Sequence, residues 1–251
     1  MLMKNMKELT FAFNKWKNTI NKVNRFDNKS TLLDLLYHNA DLFEEVIPAG
    51  CMFYRGRVFN LDDIAPTNEK YINWIETSKG PFQGYDRKEC GAPPKSSAKE
   101  GRLNGAGIPF LYTCSDITTV IYELRPTKNE KISIAKFVTK KNLILADLTK
   151  QKSYQIENHM LSDLLSKIAE EFSTPHYAGH DYYFTQFLAG QFMNLKFDGI
   201  IFDSSLNPNG KNFVFFKTNS CEAISSELYI VDNINIDYTH IARKDFEYFE
   251  N

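Results

Sequence analysis

Residues 101–126 read GRLNGAGIPFLYTCSDITTVIYELRP. Glycines at 101, 105 and 107 invite comparison with the phosphate-binding turn of a dinucleotide fold. That turn has to open a helix. Here Pro109 and a strand-like run, Phe110–Thr113, follow it, which argues against the dinucleotide fold. What remains is a turn presenting Arg102 and Asn104, a strand carrying Tyr112, and a segment spaced for a helix, Ile117–Leu124, carrying Glu123. Loop, strand and helix can therefore aim Arg102, Tyr112 and Glu123 at one cleft. Each also has an ordinary explanation: a surface loop charge, a strand aromatic, and the partner of Arg125.

Working outward, short strand-like runs occur at Cys51–Tyr54, Ile132–Val138, Leu143–Leu148, Phe197–Phe202, Asn212–Phe216, Ser226–Val231 and Ile234–Tyr238. Helical spacing recurs near Glu69–Thr77, Ile156–Phe172 and Tyr182–Met193. Several strands follow one another with no helix between them, so the pattern predicts an α+β fold with a mixed sheet rather than regular βαβ winding. Residues 82–107, rich in Gly, Pro and Ser, read as a long loop, and such loops in compact domains are usually functional or mobile.

Ahead of the first strand, Met3, Met6, Leu9, Phe13, Trp16, Ile20 and Val23 recur at steps of three and four, the stripe of an amphipathic helix. Ser30 is placed to cap a second helix with apolar Leu32, Leu33, Leu36, Ala40 and Phe43, stopped by Pro48 and Gly50. Residues 1–48 thus read as an N-terminal helical extension, and residues 49–251 as the main domain. Seven basic and two acidic side chains in the first 30 residues give a local net charge of +5. A basic amphipathic helix can lie on a membrane or a nucleic acid. A solvated lysine face over a packed stripe is the preferred reading.

The 251 residues suit one generous domain, or one with a helical appendage. With 43% hydrophobic and 24% charged residues the chain is neither disordered nor collagenous, and its net charge of −1 presents no basic field to nucleic acid. No apolar run approaches the roughly 20 residues of a membrane span. The N-terminus has neither the apolar core nor the cleavage site of a secretory signal. Cys51, Cys90, Cys114 and Cys221 are too sparse for a disulfide scaffold and match no zinc template. A cytoplasmic protein with reduced thiols is expected.

Three further groups carry chemistry. Strand alternation places Arg55 and Arg57 on one face, where two guanidiniums suit a phosphate or carboxylate, or an ion pair within the fold. The run Phe197-Asp-Gly-Ile-Ile-Phe-Asp-Ser-Ser205 ends a buried strand in two hydroxyls, able to bind a ligand or to cap a turn. No G-x-S-x-G elbow accompanies them, against a serine hydrolase. His176 and His180, beside Asp181, have the spacing of a metal pair but no third ligand on a known template. Capping or core roles are preferred.

Taken together, nine segments resemble the RES domain family, named for arginine, glutamate and serine. They are Tyr54-Arg-Gly-Arg57, Cys90-Gly-Ala-Pro-Pro94, Gly101-Arg-Leu-Asn104, Gly107-Ile-Pro-Phe-Leu-Tyr112, Thr118-Thr-Val-Ile-Tyr-Glu-Leu-Arg-Pro126, Tyr183-Phe-Thr-Gln-Phe-Leu-Ala189, Phe197-Asp-Gly-Ile200, Ser204-Ser205 and Asn212-Phe-Val-Phe-Phe216. Their order is collinear over roughly residues 50 to 220. The resemblance implies an ADP-ribosyltransferase-like fold and an enzyme that consumes NAD. Family members are mostly toxins of bacterial toxin–antitoxin pairs; they hydrolyse or phosphorolyse NAD, and some transfer ADP-ribose to a protein.

By position, the family's first arginine falls on Arg55, with Arg57 competing for the place. The second falls on Arg102, the tyrosine on Tyr112, the glutamate on Glu123 and the serine on Ser204, with Ser205 as its rival. Asn104 and Asn212 join Arg57 and Ser205 as expected substrate-binding residues. The implied activity is an NAD phosphorylase or glycohydrolase, with ADP-ribosyl transfer to a macromolecule as the alternative and a non-catalytic NAD-binding module behind both. NAD is then a substrate and no metal is required. The expected partner is a separate antitoxin, with no membrane or nucleic acid, and a homo-oligomer is compatible with the sequence. Two departures stand out: the N-terminal 48 residues have no counterpart, and Phe184 precedes Thr185-Gln186 where proline is expected.

Overall fold

The computed structural model describes residues 6–60, 84–174 and 182–235. Among them run α1 (Met6–Lys22), α2 (Thr31–His38), β1 (Glu44–Ile47), β2 (Met52–Val58), β3 (Leu111–Cys114), α3 (Ile117–Leu124), β4 (Lys131–Thr139), β5 (Leu143–Asp147), α4 (Lys150–Tyr154), α5 (His159–Ser173), α6 (Tyr183–Asn194), β6 (Gly199–Asp203), β7 (Lys211–Phe215) and β8 (Cys221–Ile230). The eight strands form one sheet in the order β1-β5-β6-β7-β3-β2-β4-β8. The β5–β6 pair is parallel and the others are antiparallel, so the expected mixed α+β sheet is observed.

Local sequence signals set several helix boundaries. Asp116 caps α3 by accepting from the Thr119 amide at 2.8 Å, and the helix ends where Arg125 turns left-handed (φ 48°) before Pro126. Ser30 caps α2 as expected, accepting from Leu32 N at 3.3 Å. The helical extension is shorter than predicted, however. After α2 a 3-10 turn covers Ala40–Phe43, and Glu44–Ile47 form β1, paired with β5. Strand β2 runs on through Arg55-Gly-Arg57 to Val58 because all seven of its residues pair with β4. The predicted helix at 69–77 lies outside the described residues, as do His176, His180, Asp181 and most of the run at 234–238.

On one sheet face Leu9, Phe13, Trp16 and Ile20 of α1 and Leu32 and Leu36 of α2 share a core with Leu164, Ile168 and Phe172 of α5, Phe184 and Leu188 of α6, and Ala146, Ile200 and Val214 of the sheet. Met6 and Val23 of the predicted stripe stay exposed, and Met3 lies outside the described residues. The opposite face packs Phe53, Leu111, Leu145, Phe213 and Phe215. A third cluster joins Val120 of α3 to Ile132 and Ile134 of β4.

Gly56 permits a close approach between helix and sheet. A Cβ added there runs into Val120 Cγ1 and lies 2.7 Å from Leu124 Cδ1, so α3 rests directly on the β2 backbone. Gly56→Ala should therefore cost about 1–3 kcal/mol through overpacking. Thermal unfolding checks this: a fall of several degrees is expected, and an unchanged midpoint would refute the close approach.

Candidate active site

Strands β2 and β3 pair at a single position, Tyr54 with Cys114, whereas β3 pairs with β7 at four positions. Past that point the two strands part, and residues from both line an open cleft of about 740 Å³, solvent at its mouth included. Arg55 bridges the gap, its Nη1 donating to Tyr112 O at 2.9 Å and its Nε to Cys90 O at 3.0 Å. Burial lowers the Arg55 pKa, the neighbouring Cys90, Tyr112 and Cys114 oppose the shift, and Arg57 adds to it. A guanidinium begins so high that it stays cationic.

Arg57 shares the strand face of Arg55, as alternation predicts, but reaches elsewhere. Its Nη1 donates to Glu89 O at 3.3 Å, and its guanidinium lies over the Tyr85 ring, 4.3 Å from the centroid. Arg55 lines the cleft and Arg57 does not.

Arg102 enters from the loop ahead of β3. Its Nη1 donates to the carbonyls of Phe172 and, at 3.4 Å, Glu171, in the last turn of α5. That helix end carries partial negative charge, which favours a cation. The Arg102 carbonyl accepts from Thr185 Oγ1 at 2.6 Å, in the first turn of α6. Desolvation lowers its pKa, while Tyr182, Glu123 and Tyr112 pull the other way.

Tyr112 projects from β3 into the same cleft. Its hydroxyl donates to Asn104 Oδ1 at 2.6 Å and accepts from Leu103 N at 3.1 Å, which fixes the ring against the Gly101–Asn104 turn. Burial pushes its pKa up to about 12, so it remains a donor. Asn104 is buried, and its amide donates to the carbonyls of Lys99 and Gly105, both at 3.1 Å. It builds the turn and borders a neighbouring pocket, not the cleft itself.

Glu123 stands on the last turn of α3, at the cleft rim, with its carboxylate fixed from the opposite side. Oε1 accepts from Ser204 Oγ at 2.7 Å and from Asn212 Nδ2 at 2.8 Å. Ser204 is buried, and its oxygen also accepts the amides of Leu206 and Asn207 at 3.2 and 3.1 Å. One hydroxyl therefore both caps the turn and holds the carboxylate. Of the two adjacent serines, Ser205 lines the cleft and Ser204 does not. Asn212 lines it too, and its Oδ1 accepts from the Cys114 thiol at 3.3 Å.

The sequence reading missed Cys114 and the apolar wall formed by Val120, Leu124, Phe172 and Phe202. Cys114 follows the strand residues Leu111, Tyr112 and Thr113, and its position beside Asn212 depends on β3–β7 register, which no local pattern encodes. Among the described residues no three His, Cys, Asp or Glu side chains are grouped to hold a metal ion. No helix among them is long and apolar enough to cross a membrane.

The family model for the RES domain matches residues 71–238. Arg55 and Arg57 precede the matched stretch. No curated protein matches the chain. Among solved structures, one chain from the crystal structure of the M. tuberculosis MbcT-MbcA toxin-antitoxin complex is similar at 12% identity, covering 80% of this chain and 94% of that one with a TM-score of 0.43.

Burial pushes the Cys114 and Cys221 thiols up to about 12 from an ordinary 9.0. Both are neutral when protonated, so the folded state binds protons that the unfolded chain releases first. The resulting stabilisation is complete below pH 9 and is lost as the pH rises towards 12. Denaturant midpoints should accordingly fall across that window. At pH 8.5 iodoacetamide should label the half-buried Cys51 well before Cys114 and Cys221, read by mass spectrometry.

Proposed function

The chain belongs to the RES domain family, and from that premise we propose that it degrades NAD by cleaving the bond between nicotinamide and ribose, as the toxin of a toxin–antitoxin pair. One observation carries the reading: Arg55, Arg102, Tyr112 and Glu123, supplied by four different segments, converge on one cleft. NAD offers each of them a matching group. Its pyrophosphate is an anion for the two guanidiniums. Its nicotinamide is a cationic ring suited to the face of Tyr112 or to the wall of Phe172 and Phe202.

In this mechanism the carbon–nitrogen bond breaks with its electron pair going to nicotinamide, which leaves neutral. The ribose becomes oxocarbenium-like. Glu123 stabilises that cation and accepts from the ribose hydroxyls, and its bonds from Ser204 and Asn212 hold it in place beforehand. Water or inorganic phosphate then attacks the anomeric carbon. Water gives ADP-ribose and releases a proton; phosphate gives ADP-ribose 1-phosphate. Ser204 acts here through Glu123, and Ser205 and Asn212, which line the cleft, are offered to the ring and ribose.

NAD consumption by purified protein, followed with and without phosphate, tests the reading. Wild type should consume NAD, and Glu123→Gln should lose about 100-fold or more in kcat. A phosphate requirement would identify a phosphorylase. Labelled NAD incubated with lysate separates the transferase alternative, because transfer leaves label on a macromolecule. No turnover under any of these conditions would overturn the proposal.

A further inference from the structure

The N-terminal helix grips both elements that hold Arg102. Lys17 Nζ donates to Glu171 Oε1 at 2.6 Å, and Glu171 and Phe172 are the residues whose carbonyls receive the Arg102 guanidinium. At the other helix, Trp16 meets Phe184 edge-on with centroids 5.1 Å apart, and Phe13 meets the same ring at 5.5 Å. Phe184 adjoins Thr185, whose hydroxyl holds the Arg102 carbonyl. Just past α1, the Arg25 guanidinium lies 3.7 Å from the centroid of the Tyr183 ring. Each end of Arg102 is thus bound at or next to a residue that the N-terminal segment holds.

We propose that α1 is a positioning element of the cleft and acts through Arg102, with Lys17 and Trp16 as its positioning residues. This rests on reading Arg102 as an anion-binding arginine of the NAD site. Arg102 has no rigid element of its own. It leaves a loop and is aligned by the last turn of α5 on one side and the first turn of α6 on the other. The spacing of those two turns is set by what packs across them, and α1 lies across both. Loosening α1 would let the turns separate and shift the guanidinium. Because a pyrophosphate keeps its charge from ground state to transition state, the loss should appear in KM more than in kcat.

Trp16 supplies the conservative control. Its indole Nε1 is buried with no hydrogen-bond partner among the described residues. Trp16→Phe removes that orphan donor and keeps an aromatic edge against Phe184. Trp16→Ala removes both.

The experiment uses the full chain and measures NAD kinetics together with the NMR signal of the Arg102 Nε–H. Lys17→Met should raise KM for NAD about five- to twentyfold with kcat within about twofold, since the displaced group binds substrate uniformly. Its unfolding temperature should barely move, because the ion pair is partly exposed. Trp16→Ala should raise KM and Trp16→Phe should not. In an Arg102→Ala background Lys17→Met should add nothing, the non-additivity expected of residues acting through one group. The Arg102 signal should shift in Lys17→Met and stay in place in Trp16→Phe. Unchanged KM, or effects that simply add, would overturn the inference. If wild type leaves NAD untouched, the functional reading fails alone. The Arg102 signal then decides: a shift in Lys17→Met upholds the positioning role and an unmoved signal overturns it.

Discussion

A strand pair that lets go after one residue leaves backbone groups without ladder partners, and buried groups of that kind have to be satisfied in some other way. Here β2 and β3 part beyond Tyr54 and Cys114, and the guanidinium of Arg55 supplies the missing donor to Tyr112 O. The cleft exists because the ladder stops, and the sheet survives the interruption because a cation spans it. The same parting places Gly56 under α3, so that the helix lies close enough to carry Glu123 to the rim. Arg55 is consequently both a structural bridge and part of the proposed anion site, and neither role excludes the other.

A comparable economy governs Glu123. Its Oε1 receives two side-chain donors, and one of them, Ser204, is itself fixed by two backbone amides of the turn after β6. A carboxylate held this way is oriented before any ligand arrives, the condition under which fixed charge stabilises a developing cation most effectively. Asn212, tied in turn to the Cys114 thiol, carries the constraint back to the strand where the parting begins. The site is polar along this network and apolar along Val120, Leu124, Phe172 and Phe202, a division suited to a ligand with a charged backbone and flat rings.

Much of this was legible in the chain itself. Helix α3 was readable from the helical spacing of Ile117–Leu124, and the structure adds the Asp116 cap at its start. The inner strands β4 to β7 were readable because they are short apolar runs. Edges and polar strands were harder. Glu44-Glu-Val-Ile47 shows no alternation and becomes β1 only by pairing with β5. The polar Arg55-Gly-Arg57 belongs to β2 because β4 supplies its partners. Likewise β8 begins at Cys221, five residues before its apolar run, through pairing with β4. Motif order singled out Arg55, Arg102, Tyr112 and Glu123, which line one cleft, but the division of labour between Ser204 and Ser205, and between Arg55 and Arg57, depends on side-chain direction. The two departures from the family pattern are one feature in space: Phe184 sits where proline was expected, and Phe13 and Trp16 of the N-terminal helix cover it.

In the proposed function NAD occupies the cleft between β2, β3 and α3 with its scissile ribose at residue 123. A crystal structure of the Glu123→Gln protein soaked with NAD tests it most directly. The nicotinamide ribose is expected within hydrogen-bonding distance of Gln at that position, the pyrophosphate on Arg102 and Arg55, and the ring against Tyr112 or the Phe172–Phe202 wall. NAD bound in another pocket, or with its adenine end at residue 123, would contradict it.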